Sequence, residues 1–129
     1  MNTIGIIGNG FVGNAIYQGL RWHYKVLVYD IDPQRCVNKI EEVNRASYIF
    51  VCVPTPSRDT GEIDTKPILA ALSKVDDGKL VIIKSTITPD GAEQINDSFP
   101  ELKIVYNPEF LTERTAVKDF RDPKRIVLG

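Results

Sequence analysis

The chain is short of most things that would mark a specialised class, and each shortage excludes something. Its 129 residues hold two cysteines, Cys36 and Cys52, in no spaced pattern. That is too few for a disulfide framework and too unpatterned for a metal site, which fits a reducing, cytoplasmic setting. No charge of one sign dominates: 16 Lys+Arg stand against 17 Asp+Glu, for a net charge of −1. No basic surface therefore advertises nucleic acid, and none of the recognised nucleic-acid modules is legible. The longest apolar runs are strand-length, far short of the ~20 residues that a membrane span needs. Met1-Asn2-Thr3 carries no charged leader or cleavage pattern, so secretion is not signalled. Internal repeats and low-complexity tracts are missing too.

What is present is ordinary globular material, 43% hydrophobic and 26% charged, enough for one domain over residues 1–129 with a core of its own. Its organising stretch is Ile4-Gly5-Ile6-Ile7-Gly8-Asn9-Gly10-Phe11-Val12-Gly13. A β-branched run feeds into G-x-G-x-x-G and then into an amphipathic segment, the strand, turn and helix of a dinucleotide-binding βαβ unit. Gly8 lets the chain turn as it leaves the strand, Gly10 lets the backbone approach a pyrophosphate, and Gly13 lets the helix lie close to the sheet. The helix N-terminus, with open N–H groups and a positive dipole end, stabilises an anion there without a cationic side chain. A second run, Lys25–Tyr29, ends in Asp30, twenty residues beyond Gly10, where an acid grips the ribose hydroxyls. A carboxylate at that place repels a 2′-phosphate and favours NAD over NADP.

Taken in order, the chain alternates strand and helix. Strands are expected at about 3–7, 25–30, 47–53, 80–84, 103–106 and 125–128, and helices at about 11–21, 33–40, 65–75 and 89–99. Pro33 and Pro89 sit at first helical positions behind the caps Asp32 and Thr88, and Asp64 caps the helix between them. Asn107-Pro108-Glu109 repeats the cap-then-proline pattern and opens a short helical segment. Residues 57–62 form a turn-rich loop. The fold class is α/β, a Rossmann-type doubly wound parallel sheet of about six strands in the order 3-2-1-4-5-6, in a single domain. Ligands gather beyond the C-terminal strand ends of such a sheet, and there lie the glycines, Asp30, Pro54-Thr55-Pro56, Thr86 and Glu109.

Several of these residues carry possible chemistry. Thr86 has a hydroxyl for a cofactor or substrate, or one that satisfies backbone groups of the next turn. Glu109 and Glu113 are four apart and share a helix face. Paired carboxylates raise each other's pKa towards that of a neutral-pH base, although a solvated face paired with Arg114 or Lys118 explains them as well. Cys52, inside an apolar strand, is expected to be a neutral, inert thiol. His23 follows the first helix, at the opposite edge from the strand ends, and reads as a surface or cap residue.

Together these blocks resemble one family. Gly8–Gly13, Tyr29–Asp32, Val51–Pro56, Lys84-Ser85-Thr86, Asn107-Pro108-Glu109-Phe110-Leu111-Thr112-Glu113 and Asp119–Gly129 closely resemble the UDP-glucose/GDP-mannose dehydrogenase family, in family order over essentially the whole chain. The resemblance implies an NAD-dependent oxidation of a nucleotide sugar's 6-hydroxyl to a carboxylate. It places the pyrophosphate on the backbone of Gly10, Phe11 and Val12, the adenine ribose on Asp30 and the adenosine beside Arg35. Thr55 and Thr86 fall on the nicotinamide side, and Val53 is a further cofactor-binding position. Glu109 and Glu113 match glutamates near the reacting centre, Glu113 also touching the cofactor. The family's central helix, its second nucleotide-sugar-binding domain and its catalytic cysteine have no counterpart in these residues. A separate sugar-binding domain is therefore the implied partner besides NAD(H), and a cofactor-binding module without catalysis is the other reading.

Overall fold

The run Thr-Ile-Gly-Ile-Ile is apolar on both faces, and it forms β1 (Thr3–Ile7), an inner strand of the sheet. In the computed structural model the described residues are 3–55 and 63–107. Around β1 stand β2 (Lys25–Tyr29), β3 (Tyr48–Val51), β4 (Leu80–Ile83) and β5 (Lys103–Tyr106), all parallel, in the order β2-β1-β3-β4-β5. The helices are α1 (Phe11–Leu20), α2 (Ile40–Val43), α3 (Lys66–Leu72) and α4 (Pro89–Ser98). Alternation along β1 divides the core: Ile6 joins Ile16 of α1, Val28 and Cys52 on one face. Ile7 joins Val43, Ile49, Val51, Ile68, Leu72, Val81, Ile83 and Ile95 on the other, with α2, α3 and α4. Helices thus cover both faces, as parallel strands require.

The order differs from the expected 3-2-1-4-5-6, because β3 inserts beside β1 instead of outside β2. Two features send it there. Gly5 has no Cβ, and one placed on it would stand 2.7 Å from Val43 Cγ1, so α2 crosses directly over β1. The chain then re-enters beyond β1, with the Ser47 N–H donating to Thr3 O at 2.9 Å. β3 also gains from the inner slot, where Ile49 and Val51 are fully buried. The expected sixth strand, Arg125–Leu128, lies outside the described residues.

The helix expected from Pro33 to Ile40 does not form, and α2 begins only where it was to end. Short polar side chains claim the backbone first. Asp32 Oδ1 accepts the Gln34 N–H at 3.0 Å, and Asn38 Oδ1 accepts the Val28 N–H at 2.8 Å. Val37 and Asn38 in turn donate their N–H groups to Val28 O. Residues 37 and 38 thereby close the outer edge of β2, where a further strand had been expected. The Thr88 cap acts as read: Thr88 Oγ1 accepts the Gly91 N–H at 3.1 Å, with Pro89 starting α4. At α3 (Lys66–Leu72) the N-cap is Thr65 rather than the expected Asp64, whose Oδ1 accepts the Lys66 N–H at 3.0 Å just ahead of the helix. No helix among the described residues is long and apolar enough to cross a membrane.

Candidate cofactor site

The site begins where β1 runs out. Gly8 has φ +101°, a left-handed conformation that side chains resist, and a Cβ there would lie 2.8 Å from the Cys52 carbonyl. Its N–H donates to Tyr29 O at 2.9 Å, tying the turn to the end of β2. Gly10 is the N-cap of α1, in extended backbone, and no side chain caps this helix. The first bond of the helical ladder runs from Asn14 N–H to Gly10 O at 2.9 Å. The N–H groups of Phe11, Val12 and Gly13 precede it and are the orphan donors of the helix start.

The other two glycines differ in what surrounds them. A Cβ on Gly13 would fall 1.9 Å from Gly8 O, so α1 packs against the turn itself. A Cβ on Gly10 would meet nothing within 4 Å, leaving open space above bare backbone and uncapped donors. That is a cradle for a diphosphate.

Asp30 directly follows β2, beside this turn. Its Oδ2 accepts the Asn9 N–H at 2.6 Å and its Oδ1 accepts the Asp32 N–H at 2.8 Å. A carboxylate has about four acceptor positions, so roughly two remain for a diol. Arg35 stands on the same segment, its Nε 3.9 Å from Asp32 Oδ2 in an exposed pair of little energetic weight.

On the other side of the turn come the ends of β3 and β4. The Ser85 hydroxyl donates to Val53 O at 2.7 Å, and the Lys84 N–H to Val51 O at 2.9 Å, locking the two ends together. Lys84 Nζ donates to Asn107 Oδ1 across to the end of β5. Burial lowers the Lys84 pKa to about 8 and raises that of the Cys52 thiol to about 12. Cys52 is thus a neutral core thiol, as expected, and no group of three possible metal ligands occurs among the described residues.

A crevice of about 1000 Å³ runs over the ends of β1, β2, β3 and β4. Gly8, Gly10, Phe11, Val12, Asp30, Arg35, Val53, Thr55 and Thr86 line it, so the structure brings these expected site residues together. Gly13 stands behind the wall and shapes it. Glu109 and Glu113 lie outside the described residues. Asn9 and Lys84 also line the crevice but were not singled out from the sequence. The signal for Lys84 was a lysine directly after a fully apolar strand; for Asn9 it was a polar side chain between two glycines.

Comparison with known proteins agrees with this geometry. Residues 34–129 match the model of the UDP-glucose/GDP-mannose dehydrogenase family, NAD binding domain. A UDP-glucose 6-dehydrogenase of Rickettsia felis is 40% identical over 97 residues, covering 68% of this chain and 21% of that protein. One from Haloferax volcanii is 35% identical over 121 residues, covering 78% of this chain and 27% of the relative. The solved structure of a UDP-glucose dehydrogenase from the hyperthermophilic archaeon Pyrobaculum islandicum superimposes with a TM-score of 0.83 at 26% identity, over 100% of this chain and 40% of that one. The chain thus spans about a fifth to a quarter of the curated relatives it matches. The uncapped helix start, the open space over Gly10 and the acid at Asp30 fit the cofactor that the matched domain binds, NAD.

Proposed function

The chain belongs to the UDP-glucose/GDP-mannose dehydrogenase family as its NAD-binding domain, and from that membership we propose that it serves the oxidation of a nucleotide sugar's 6-hydroxyl. What supports this most is the uncapped start of α1, opening on a crevice between an acid on one side and the β3 and β4 ends on the other.

In this reading the main-chain N–H groups around Gly10, Phe11 and Val12 hold the diphosphate, with the α1 dipole favouring its charge. Asp30 accepts from the adenine-ribose hydroxyls, and Arg35 lies along the adenosine. Val53 and Thr55 wall the nicotinamide side, and the Thr86 hydroxyl orients groups there. Bound NAD supplies the hydride acceptor. From the resemblance, Glu109 is assigned the proton of the reacting alcohol, taken directly or through water, and Glu113 a role towards the cofactor. The sugar and the handling of the aldehyde stage fall to parts of the relatives that this chain does not span. A second reading draws on that same fraction of relatives' length: a module that binds NAD and performs no chemistry alone.

Calorimetry with NADH tests the shared core of both readings. Wild-type protein is expected to bind, and Asp30→Ala to bind at least tenfold more weakly, since charge-assisted hydrogen bonds contribute about 1.5–3 kcal/mol each. No affinity in the wild type would reject both. For the chain alone with UDP-glucose or GDP-mannose, no NADH production is expected. Recovery of turnover on adding a sugar-binding partner domain separates the dehydrogenase reading from the binding module.

A further inference from the structure

Asn9 is the one polar side chain in the stretch 4–13, and none of the roles assigned above falls on it. Three of its polar groups meet three different environments. The main-chain N–H donates to Asp30 Oδ2 at 2.6 Å. The side-chain Nδ2 donates to Arg35 O at 2.9 Å. Because a backbone carbonyl only accepts, the amide must turn its nitrogen to Arg35. The other atom, Oδ1, is left buried with no donor among the described residues.

The segment carrying Asp30 and Arg35 is otherwise held at its root. Asp32 N–H binds Asp30 Oδ1, the Arg35 and Cys36 N–H groups bind Asp32 O, and Val37 and Asn38 bind Val28 O. The Asn9 amide is what links Arg35 across to the glycine turn, on the far side of the crevice's adenosine end. The unmet Oδ1 adds a second consideration. A buried acceptor without a donor costs about 1–3 kcal/mol, so this side chain does little for the ligand-free fold. Its placement answers to something else.

We propose that Asn9 is a positioning residue for the adenosine half of the cofactor. It draws residues 30–36 against the glycine turn and so holds the Asp30 carboxylate towards the ribose. This rests on the cofactor reading above and extends it to a side chain which that reading leaves idle.

Titration calorimetry with ADP-ribose and with NADH tests it on wild type, Asn9→Ala and Asn9→Asp. ADP-ribose lacks the nicotinamide, so it isolates the half in question. Asn9→Ala is expected to weaken both ligands by the same factor, about three- to tenfold, the value of one net hydrogen bond. Asn9→Asp, which loses the donor and sets a second carboxylate beside Asp30, weakens both further. The melting temperature of ligand-free Asn9→Ala should match or exceed that of wild type. Hydrogen exchange should quicken in residues 32–37 and stay unchanged in β1 and β3. Unaltered ADP-ribose affinity in Asn9→Ala overturns the proposal, as does a loss confined to NADH. A general fall in stability with exchange rising throughout the sheet overturns it too, since it makes the role structural. If wild type binds neither ligand, the cofactor reading falls and takes this one with it; if wild type binds and Asn9→Ala matches it, only this one falls.

Discussion

Gly10 and Gly13 stand three residues apart in one turn, yet the structure assigns opposite outcomes to adding a methyl group to each. At Gly13 the new Cβ would lie 1.9 Å from Gly8 O and 3.0 Å from Gly8 C. The obstacle is backbone, so relief means moving α1 off the turn and opening the contacts of Ile16 with Ile6 and Val28. Overpacking of this kind costs about 1–3 kcal/mol and more when backbone must yield, so Gly13→Ala should lose about 3 kcal/mol or more, roughly 10 °C in melting temperature for a domain of this size. At Gly10 the new Cβ meets nothing within 4 Å, and φ −82°, ψ −161° is extended backbone open to alanine. The poorer N-cap and the reduced unfolded-state freedom oppose each other, each within about 1 kcal/mol. Gly10→Ala should therefore melt within a few degrees of wild type. Its methyl group, however, occupies the space over the α1 donors, and NADH affinity should fall by about a hundredfold or more as the diphosphate loses its approach. Thermal melts followed by NADH fluorescence titration read both quantities on the same samples. Gly10→Ala protein that binds NADH as wild type does would place the diphosphate somewhere other than this cradle. Gly13→Ala protein of unchanged stability would show that the helix-to-turn contact is not tight.

Other residues give separate tests. Lys84 is 6% exposed with its pKa lowered by burial to about 8 from 10.5. Below pH 8 it is charged in both states and the fold carries the full cost, about 3 kcal/mol at most by linkage; from pH 8 to 10.5 the unfolded chain holds a proton that the fold has released, so stability rises with pH. Measured as a difference, wild type should gain on Lys84→Met across that window, and a flat difference would refute the buried-cation account. Cys52, with its pKa raised to about 12, should resist thiol reagents at pH 8 until the protein unfolds, so fast labelling of native Cys36→Ser protein would contradict its burial. Asn38→Ala strips the Val28 N–H of its acceptor and should cost about 1–3 kcal/mol in denaturant melts, with a bared β2 edge that favours association; a melt superimposable on wild type would show that the edge is held by the backbone alone.

The parts of this fold that could be read in advance are those fixed within a few residues. Gly8 makes the turn and Gly13 lets α1 close on it, as their spacing implies, and Thr88-Pro89 begins a helix because a hydroxyl cap and a pre-set φ act on their immediate neighbours. The helix misplaced at Pro33 shows the limit of such rules. Pro33 suits a first turn, but Asp30, Asp32 and Asn38 all bind backbone nearby, and Asn38 does so on a strand ten residues away. Lys84 and Asn9 escaped notice for the same reason: their partners, Asn107 and Arg35, are distant in sequence. The strand order was the least legible, since it depends on the side of β1 at which the chain re-enters. The one local hint was Gly5, a glycine inside an otherwise β-branched strand, which marks close approach by something else.

The corrected order is also the one that makes the cofactor site self-consistent. In the expected arrangement, 3-2-1-4, the strand ending in Val53 and Thr55 lies outside β2. Those residues would then stand about 10 Å from the glycine turn, two strand spacings away, on the same side as Asp30. An extended dinucleotide with its diphosphate at Gly10 and its adenine ribose on Asp30 would run its other half away from them. With β3 inserted beside β1, Asp30 and Thr55 flank the turn on opposite sides. Ser85 then bonds Val53 O from the neighbouring strand and brings Thr86 to the same end. Gly5 and the brief crossing by α2 thus do more than set topology: they put the two ends of the crevice on either side of the glycine turn. A side chain at Gly5 large enough to push α2 off β1 should therefore weaken NADH binding through β3, although it touches no part of the crevice. Gly5→Val, with its Cβ 2.7 Å from Val43 Cγ1 and two methyl groups beyond it, is the variant that tests this. Loss of NADH affinity in protein that still folds supports the link. Intact affinity in a variant whose α2 has moved would show that the site does not depend on where β3 enters the sheet.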